Sequence, residues 1–252
     1  MRYFAEFEYN GRNYHGWQNQ PNAVSVQEVM ERALRMLLRH PTSLTAAGRT
    51  DAGVHARVMV AHFDCSEPIC DTDQLCFKLN GLLPEDIAMH WIRSVKDNAH
   101  ARFDATSRTY EYWLTQRKSA FTDKLITRTF FDLDFEKMNE ACEVLLQTRD
   151  FASFCKAHTD VKTTICDVRK AYWRPAEGLP DTWIFTIEAD RFLRNMVRAT
   201  VGTLIEIGRG KLTKEDLRRI LSEKSRCAAG QSMPADGLYL VKIDYPEDVF
   251  LA

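Results

Sequence analysis

Ala46-Ala47-Gly48-Arg49-Thr50-Asp51-Ala52-Gly53-Val54-His55-Ala56 joins a helical pattern to a strand pattern, and that succession decides how the chain folds. Upstream, Ser25 to Arg39 repeats apolar residues at helical spacing, with Val26, Val29, Met30, Ala33, Leu34, Leu37 and Leu38 on one side. Ser25-Val26-Gln27-Glu28 has the spacing of a capping box at its start. Downstream, Val58 to Phe63 mixes β-branched and aromatic residues as a strand does. The run between them carries one carboxylate, two basic groups and a hydroxyl, and its glycines at 48 and 53 are expected to adopt backbone conformations closed to other residues. A carboxylate fixed by a rigid scaffold loses less entropy when it reacts. The same residues also fit a plainer role, with Asp51 capping a turn and Arg49 paired to it across the surface.

Outward from this run, the pattern alternates between short strands and amphipathic helices. Met1 to Tyr9 reads as a strand ended by Asn10-Gly11, Thr72 to Asn80 as a helix stopped by Gly81, and Ile87 to Val95 as a further strand. In the strand Thr109 to Leu114, period-2 reading places Tyr110, Tyr112 and Leu114 on one face, so that Tyr110 is expected to point inward, either as core packing or toward a site. A second helix covers Phe135 to Leu146, and strands at Cys166 to Trp173 and Thr182 to Ala189 flank a turn-rich connection. A long helix is expected from Arg191 to about Ile207, with Arg191, Arg194 and Arg198 along one edge. Thr213 caps a short helix from Lys214 to Ser222, and Asp236 to Tyr245 gives a turn and a closing strand. This order predicts an α+β protein in two similar lobes, 1–105 and 106–252, each a mixed or mainly antiparallel sheet with helices on one face.

Composition narrows the chemistry. With 252 residues and 45% hydrophobic content the chain can bury a large core, and no apolar run approaches the roughly 20 residues that span a bilayer. The N-terminal strand pattern lacks the apolar core and cleavage signal of a secretory leader, so a cytoplasmic protein is expected, without membrane contact. The net charge of -1 argues against bulk electrostatic binding of nucleic acid, yet His100 to Arg128 holds six Lys or Arg against three acids, enough for a local basic groove. Arg32, Arg35 and Arg39 form a charged stripe that is either solvated surface or a face for phosphates. The seven cysteines include no Cys-x-x-Cys pair. His62 with Cys65 and Cys155 with His158 have zinc-like spacing, but free thiols in a reducing compartment fit better. Dinucleotide, P-loop, zincin and nucleophile-elbow signatures are missing. Candidate nucleophiles reduce to a carboxylate or a cysteine, and Asp51 has the more suggestive loop.

The Asp51 run resembles the signature of the TruA family, the tRNA pseudouridine synthases that act on the anticodon stem-loop. Tyr14-His15-Gly16-Trp17-Gln18-Asn19-Gln20, Ala101-Arg102-Phe103-Asp104-Ala105, Arg108-Thr109-Tyr110-Glu111-Tyr112, Asp150-Phe151-Ala152-Ser153-Phe154, Phe192-Leu193-Arg194-Asn195-Met196-Val197-Arg198 and Gly237-Leu238-Tyr239-Leu240 resemble the family's other blocks, in order. The resemblance implies two α+β lobes about a central RNA-binding cleft, usually in a homodimer. It also implies isomerisation of uridines at tRNA positions 38, 39 and 40 without cofactor, metal or guide RNA. Carried over by motif, Asp51 is the catalytic aspartate, Tyr110 the tyrosine of the active-site strand and Arg198 the arginine that pairs with the aspartate. Arg49 is then the residue that enters the stem as the base leaves, and His55, Arg102 and Tyr110 join it in substrate binding.

Overall fold

The computed structural model describes residues 1–122, 124–156 and 162–251. In chain order its elements are β1 (Arg2–Tyr9), α1 (Val26–Leu38), β2 (Thr45–Ala46), β3 (His55–Asp64), α2 (Thr72–Asn80), β4 (Ile87–Val95), β5 (Ser107–Thr115), β6 (Thr127–Arg128), α3 (Phe135–Gln147), β7 (Val168–Pro175), β8 (Thr182–Ala189), α4 (Met196–Gly208), α5 (Lys214–Glu223) and β9 (Leu238–Asp244). The fold is α+β, and it divides into two units, Met1–Arg108 with Tyr239–Ala252, and Thr109–Leu238. Residues 239–244 of the closing strand therefore group with the first unit, whereas the order of elements had suggested the half from 106 onward.

The first unit is built on β1, which pairs antiparallel with β3 on one side (Arg2 opposite Asp64) and with β4 on the other (Arg2 opposite Val95). Its odd residues Tyr3, Ala5, Phe7 and Tyr9 share a buried face, where Phe7 stacks on Trp17 with ring centroids 5.5 Å apart. On the other face Phe4 joins Val60, Val95, Ala99, Ala101 and Val249 in a cluster. β3 carries two further partners, β2 antiparallel and β9 parallel, the latter through His55 opposite Tyr239 and Ala56 opposite Leu240. The sheet is mixed because a chain that returns after a long excursion is not held to hairpin polarity. Ser25 caps α1 by accepting from Glu28 N–H, which is the hydroxyl half of the expected capping box.

In the second unit β5 neighbours β8, β8 pairs antiparallel with β7, and β6 lies parallel to β5. Helix α3 packs against β7, α4 and α5. Phe135 opens α3 and stacks on Trp183 at 3.9 Å, an anchor between helix and sheet. Helix α4 is buried around most of its circumference because apolar and small residues occupy nearly every position. Its two threonines, Thr200 and Thr203, turn their hydroxyls back onto the carbonyls of Met196 and Ala199, so no polar atom is stranded.

Three expectations are corrected. Strand β3 starts at His55, three residues before Val58, because the ladder to β9 extends it into the quoted run. Helix α4 starts at Met196, not Arg191: Asp190 accepts from the N–H groups of Asp167 and Arg191, Lys156 N–H takes the carbonyl of Arg194, and Asn195 is left-handed at φ 68°. Arg191 and Arg194 thus lie outside the helix that carries Arg198. Arg39 likewise leaves the stripe on α1, as its C-cap at φ 61°. The seven cysteines form no disulfide, and among the described residues no three His, Cys, Asp or Glu side chains gather as metal ligands would; His158 lies outside those residues. Among them, too, no helix is long and apolar enough to cross a membrane.

Candidate active site

Asp51 is partly buried in the connection between β2 and β3, and the backbone around it is pinned on both sides. Ala47 N–H donates to Val60 O at 2.8 Å, Val54 N–H to Asp51 O at 3.2 Å, and the Thr50 hydroxyl meets the Tyr9 hydroxyl at 2.8 Å in the core. The segment after β1 closes the other side. Trp17 N–H donates to Thr50 O, and Gly53 N–H to Tyr14 O, each at 3.2 Å. The tight packing falls at Gly16, at φ 89°, where an added Cβ would stand 2.4 Å from Thr50 O. Gly53 has the left-handed conformation expected of it, φ 79°. Gly48 does not: an added Cβ would meet nothing within 4 Å, and its backbone is not left-handed.

The two basic residues of the run part company. Arg49 is exposed on the loop beside Asp51. His55 is 1% exposed, its Nδ1 accepting from Gly11 N–H at 3.1 Å and its ring stacked on Tyr239 at 4.6 Å. The imidazole thus holds the start of β3 to the turn after β1 and to β9. Tyr14 adds a brace to the same turn, donating its hydroxyl to Asp86 at 2.5 Å; burial and that carboxylate push its pKa well above the usual phenol range.

Arg102 is exposed in the 101–105 block, and what places it is a residue that sequence reasoning passed over. The buried guanidinium of Arg108 donates to Ala105 O at 2.9 Å, to Arg102 O at 2.5 Å and to Ala47 O at 3.0 Å. One planar fork therefore fastens the Arg102 block to the first residues of the Asp51 run. Arg108 stood in a recognisable block, but nothing in spacing tells a buried cross-link from a surface charge.

In the second unit, the inward tyrosine of β5 is Tyr112, fully buried with its hydroxyl between Thr127 Oγ1 (2.7 Å) and Pro234 O (3.0 Å). Tyr110 shares its parity yet is only partly buried, lying edge-on to Phe192 with centroids 5.0 Å apart. Arg198, in the first turn of α4, donates from Nε to Met233 O at 2.6 Å, and Met233 N–H donates back to Arg198 O at 3.0 Å. The segment Gly230-Gln231-Ser232-Met233, with no periodic pattern of its own, is therefore what holds this arginine.

The candidate residues are, in one unit, a carboxylate on a braced loop with an exposed arginine beside it and, in the other, a partly buried aromatic ring and a tethered guanidinium. Comparison with known proteins gives these residue types a context. Residues 5–104 and 141–246 match the model of a family described as tRNA pseudouridine synthase. The tRNA pseudouridine synthase A of Bacteroides thetaiotaomicron is 55% identical over 250 residues, covering 99% of this chain and 93% of that protein. That of Parabacteroides distasonis is 55% identical over 249 residues, covering 99% and 98%. The more distant enzyme of that name from Colwellia psychrerythraea is 38% identical over 255 residues, covering 98% and 95%.

Proposed function

The chain belongs to the TruA family of tRNA pseudouridine synthases and is an RNA-modifying isomerase, and from that premise we propose that it converts uridines 38, 39 and 40 of the anticodon stem-loop to pseudouridine with Asp51 as its catalytic carboxylate. The observation that carries the choice of Asp51 is its setting. A partly buried carboxylate is held on a backbone tied to β3 at Ala47, to Tyr9 at Thr50 and to the 14–17 segment through Thr50 and Gly53. Such a group keeps its aim without losing further entropy on binding.

The reaction breaks the bond from uracil N1 to ribose C1', turns the detached base and joins C5 to C1'. Asp51 opens the sequence by attacking C1' or by taking the proton from C2', and either route uses the ionised carboxylate. Arg198 is its orienting partner, since the fork of an arginine grips both carboxylate oxygens and does not lose its proton. Tyr110 stacks on the uracil. Packing against the base is its main part. The target nucleotide must leave its stack at a cost of a few kcal/mol, and exposed Arg49 occupies the space it vacates. Arg102 contacts the RNA backbone, while His55 acts through the loop it braces. RNA helices are read mostly by shape and backbone, which suits an enzyme that modifies three adjacent positions. The working form is a cytoplasmic homodimer that needs no cofactor or guide RNA, its two units being the related lobes of the family.

The test is mass mapping of pseudouridine in tRNA incubated with purified protein alone, using wild type and Asp51→Ala. Product at 38 to 40 with wild type, its loss in the variant, and tRNA affinity kept within roughly tenfold are the expected results. Product confined to other positions would replace the RNA target, and turnover by the variant would remove Asp51 from the mechanism.

A further inference from the structure

In the second unit, one guanidinium organises the irregular segment that crosses α4. At Gly202 an added Cβ would stand 1.8 Å from the carbonyl oxygen of Gln231, so this segment lies directly on the helix backbone. Gly230 N–H donates to Thr203 Oγ1 at 3.0 Å, and three residues on Met233 makes its two hydrogen bonds with Arg198. Arg226, partly buried in the short 3-10 turn that precedes the segment, holds it from outside. Its Nη1 donates to Gly230 O at 3.1 Å and its Nη2 to Ser232 Oγ at 2.7 Å, while Asn195 Nδ2 donates to that same hydroxyl at 2.7 Å.

We propose that Arg226 is a positioning residue for the reaction, fixing the 230–233 strap on α4 so that the Met233 carbonyl sets the direction of the Arg198 guanidinium. The inference rests on the reading of Arg198 as the partner of the catalytic carboxylate. Its physical content is leverage. Arg226 grips the strap on both sides of Gln231, whose carbonyl packs on Gly202, and the next residue after Ser232 supplies the acceptor for Arg198 Nε. A planar fork that binds Ala229 O, Gly230 O and Ser232 Oγ fixes direction as well as distance, which an ammonium does not. The core of α4 is apolar and buried independently of this contact, so the helix stands when Arg226 is changed. What changes is the aim of one side chain, and misplacement of a reacting constellation by about 1 Å costs on the order of a hundredfold in rate.

Arg226→Gln and Arg226→Lys, assayed on unmodified tRNA transcript, test this. In Arg226→Gln, kcat is expected to fall by roughly tenfold or more with KM within about twofold, the signature of an interaction used in the transition state. Arg226→Lys restores part of kcat, since one of the strap's oxygens regains a donor. Added to Arg198→Lys, Arg226→Gln costs little more, because both act through one group. Independently of turnover, hydrogen exchange at the Gly230 and Met233 amides quickens in Arg226→Gln. Wild-type kcat, a rise in KM alone as for a lost phosphate contact, or a fully additive double variant would each overturn the proposal. If Arg198→Lys itself keeps the wild-type rate, the reading of Arg198 fails and the proposal with it. Unchanged amide exchange in Arg226→Gln sinks the proposal alone.

Discussion

Gly16 and Thr50 meet backbone to backbone: a Cβ on Gly16 would stand 2.4 Å from the Thr50 carbonyl oxygen, one residue before Asp51. At φ 89° the position is also one that residues with side chains avoid. Gly16→Ala therefore pushes the loop away or strains it, and about 1 kcal/mol or more of stability is expected to go, together with activity. Gly48→Ala is the control, since open space surrounds that position. Its unfolding midpoint should stay within about 0.5 kcal/mol of wild type. Equal damage from both variants, read by thermal unfolding and turnover, would show that the loop is not set by the 14–17 segment.

Arg49 is exposed on the loop beside the carboxylate, and the proposed function has it replace an everted base. Its change to Ala should harm reaction at a stacked, paired uridine more than at an unpaired one, by about tenfold in kcat/KM, because only the first requires opening of the stem. Two oligonucleotides differing only in pairing at the target make the comparison. Equal losses on both would remove the wedge role.

Arg198→Lys keeps the charge and loses the fork. With Nε tied to Met233 the guanidinium has one set direction, which a lysine ammonium on a flexible stem does not reproduce. A fall in kcat on the order of tenfold or more is expected, measured under single-turnover conditions. An unchanged rate would mean that Arg198 does not orient Asp51.

His62 gives the first unit a pH-dependent stability. Its ring is buried, accepts from Ala101 N–H at 3.1 Å and lies edge-on to His100 at 4.6 Å. Burial first, then the charges of Arg2 and His100, bring its pKa down to about 4, with Asp64 and Asp104 opposing. The sign follows from proton counts. Between roughly pH 6.5, the ordinary value, and about 4, the unfolded chain binds a proton that the folded one refuses, so stability present above that window is lost as pH falls through it. In denaturant titrations across this range, His62→Gln should show a slope shallower by up to about 1.4 kcal/mol per pH unit. Parallel slopes would place the titration elsewhere.

Pattern alone located most of the regular elements because each has one strong local cause. The serine cap at Ser25, the alternation in β1 and the apolar stripes of α1 and α3 are statements about neighbours in the chain. The shifted boundaries have causes far away in sequence. His55 joins β3 because Tyr239 pairs with it, and α4 waits until Met196 because Asp190 and Lys156 take up the backbone before it. The candidate site divides in the same way. Asp51 announces itself by its loop, but the supports beneath it do not. Arg108 looks like any basic residue, Gly16 like a flexible turn, and Gly230 to Met233 like an idle connection, until long-range contacts give them their work.

The chain order of the two units bears on how the protein is made. Residues 109–238 are one uninterrupted segment, whereas the first unit needs its last fourteen residues, 239–252, to be complete. A ribosome delivers the whole intervening unit before Tyr239 and Leu240 exist to pair with His55 and Ala56. Of the two units, the one begun first is consequently finished second, and during translation His55 and Ala56 at the start of β3 wait for their partners.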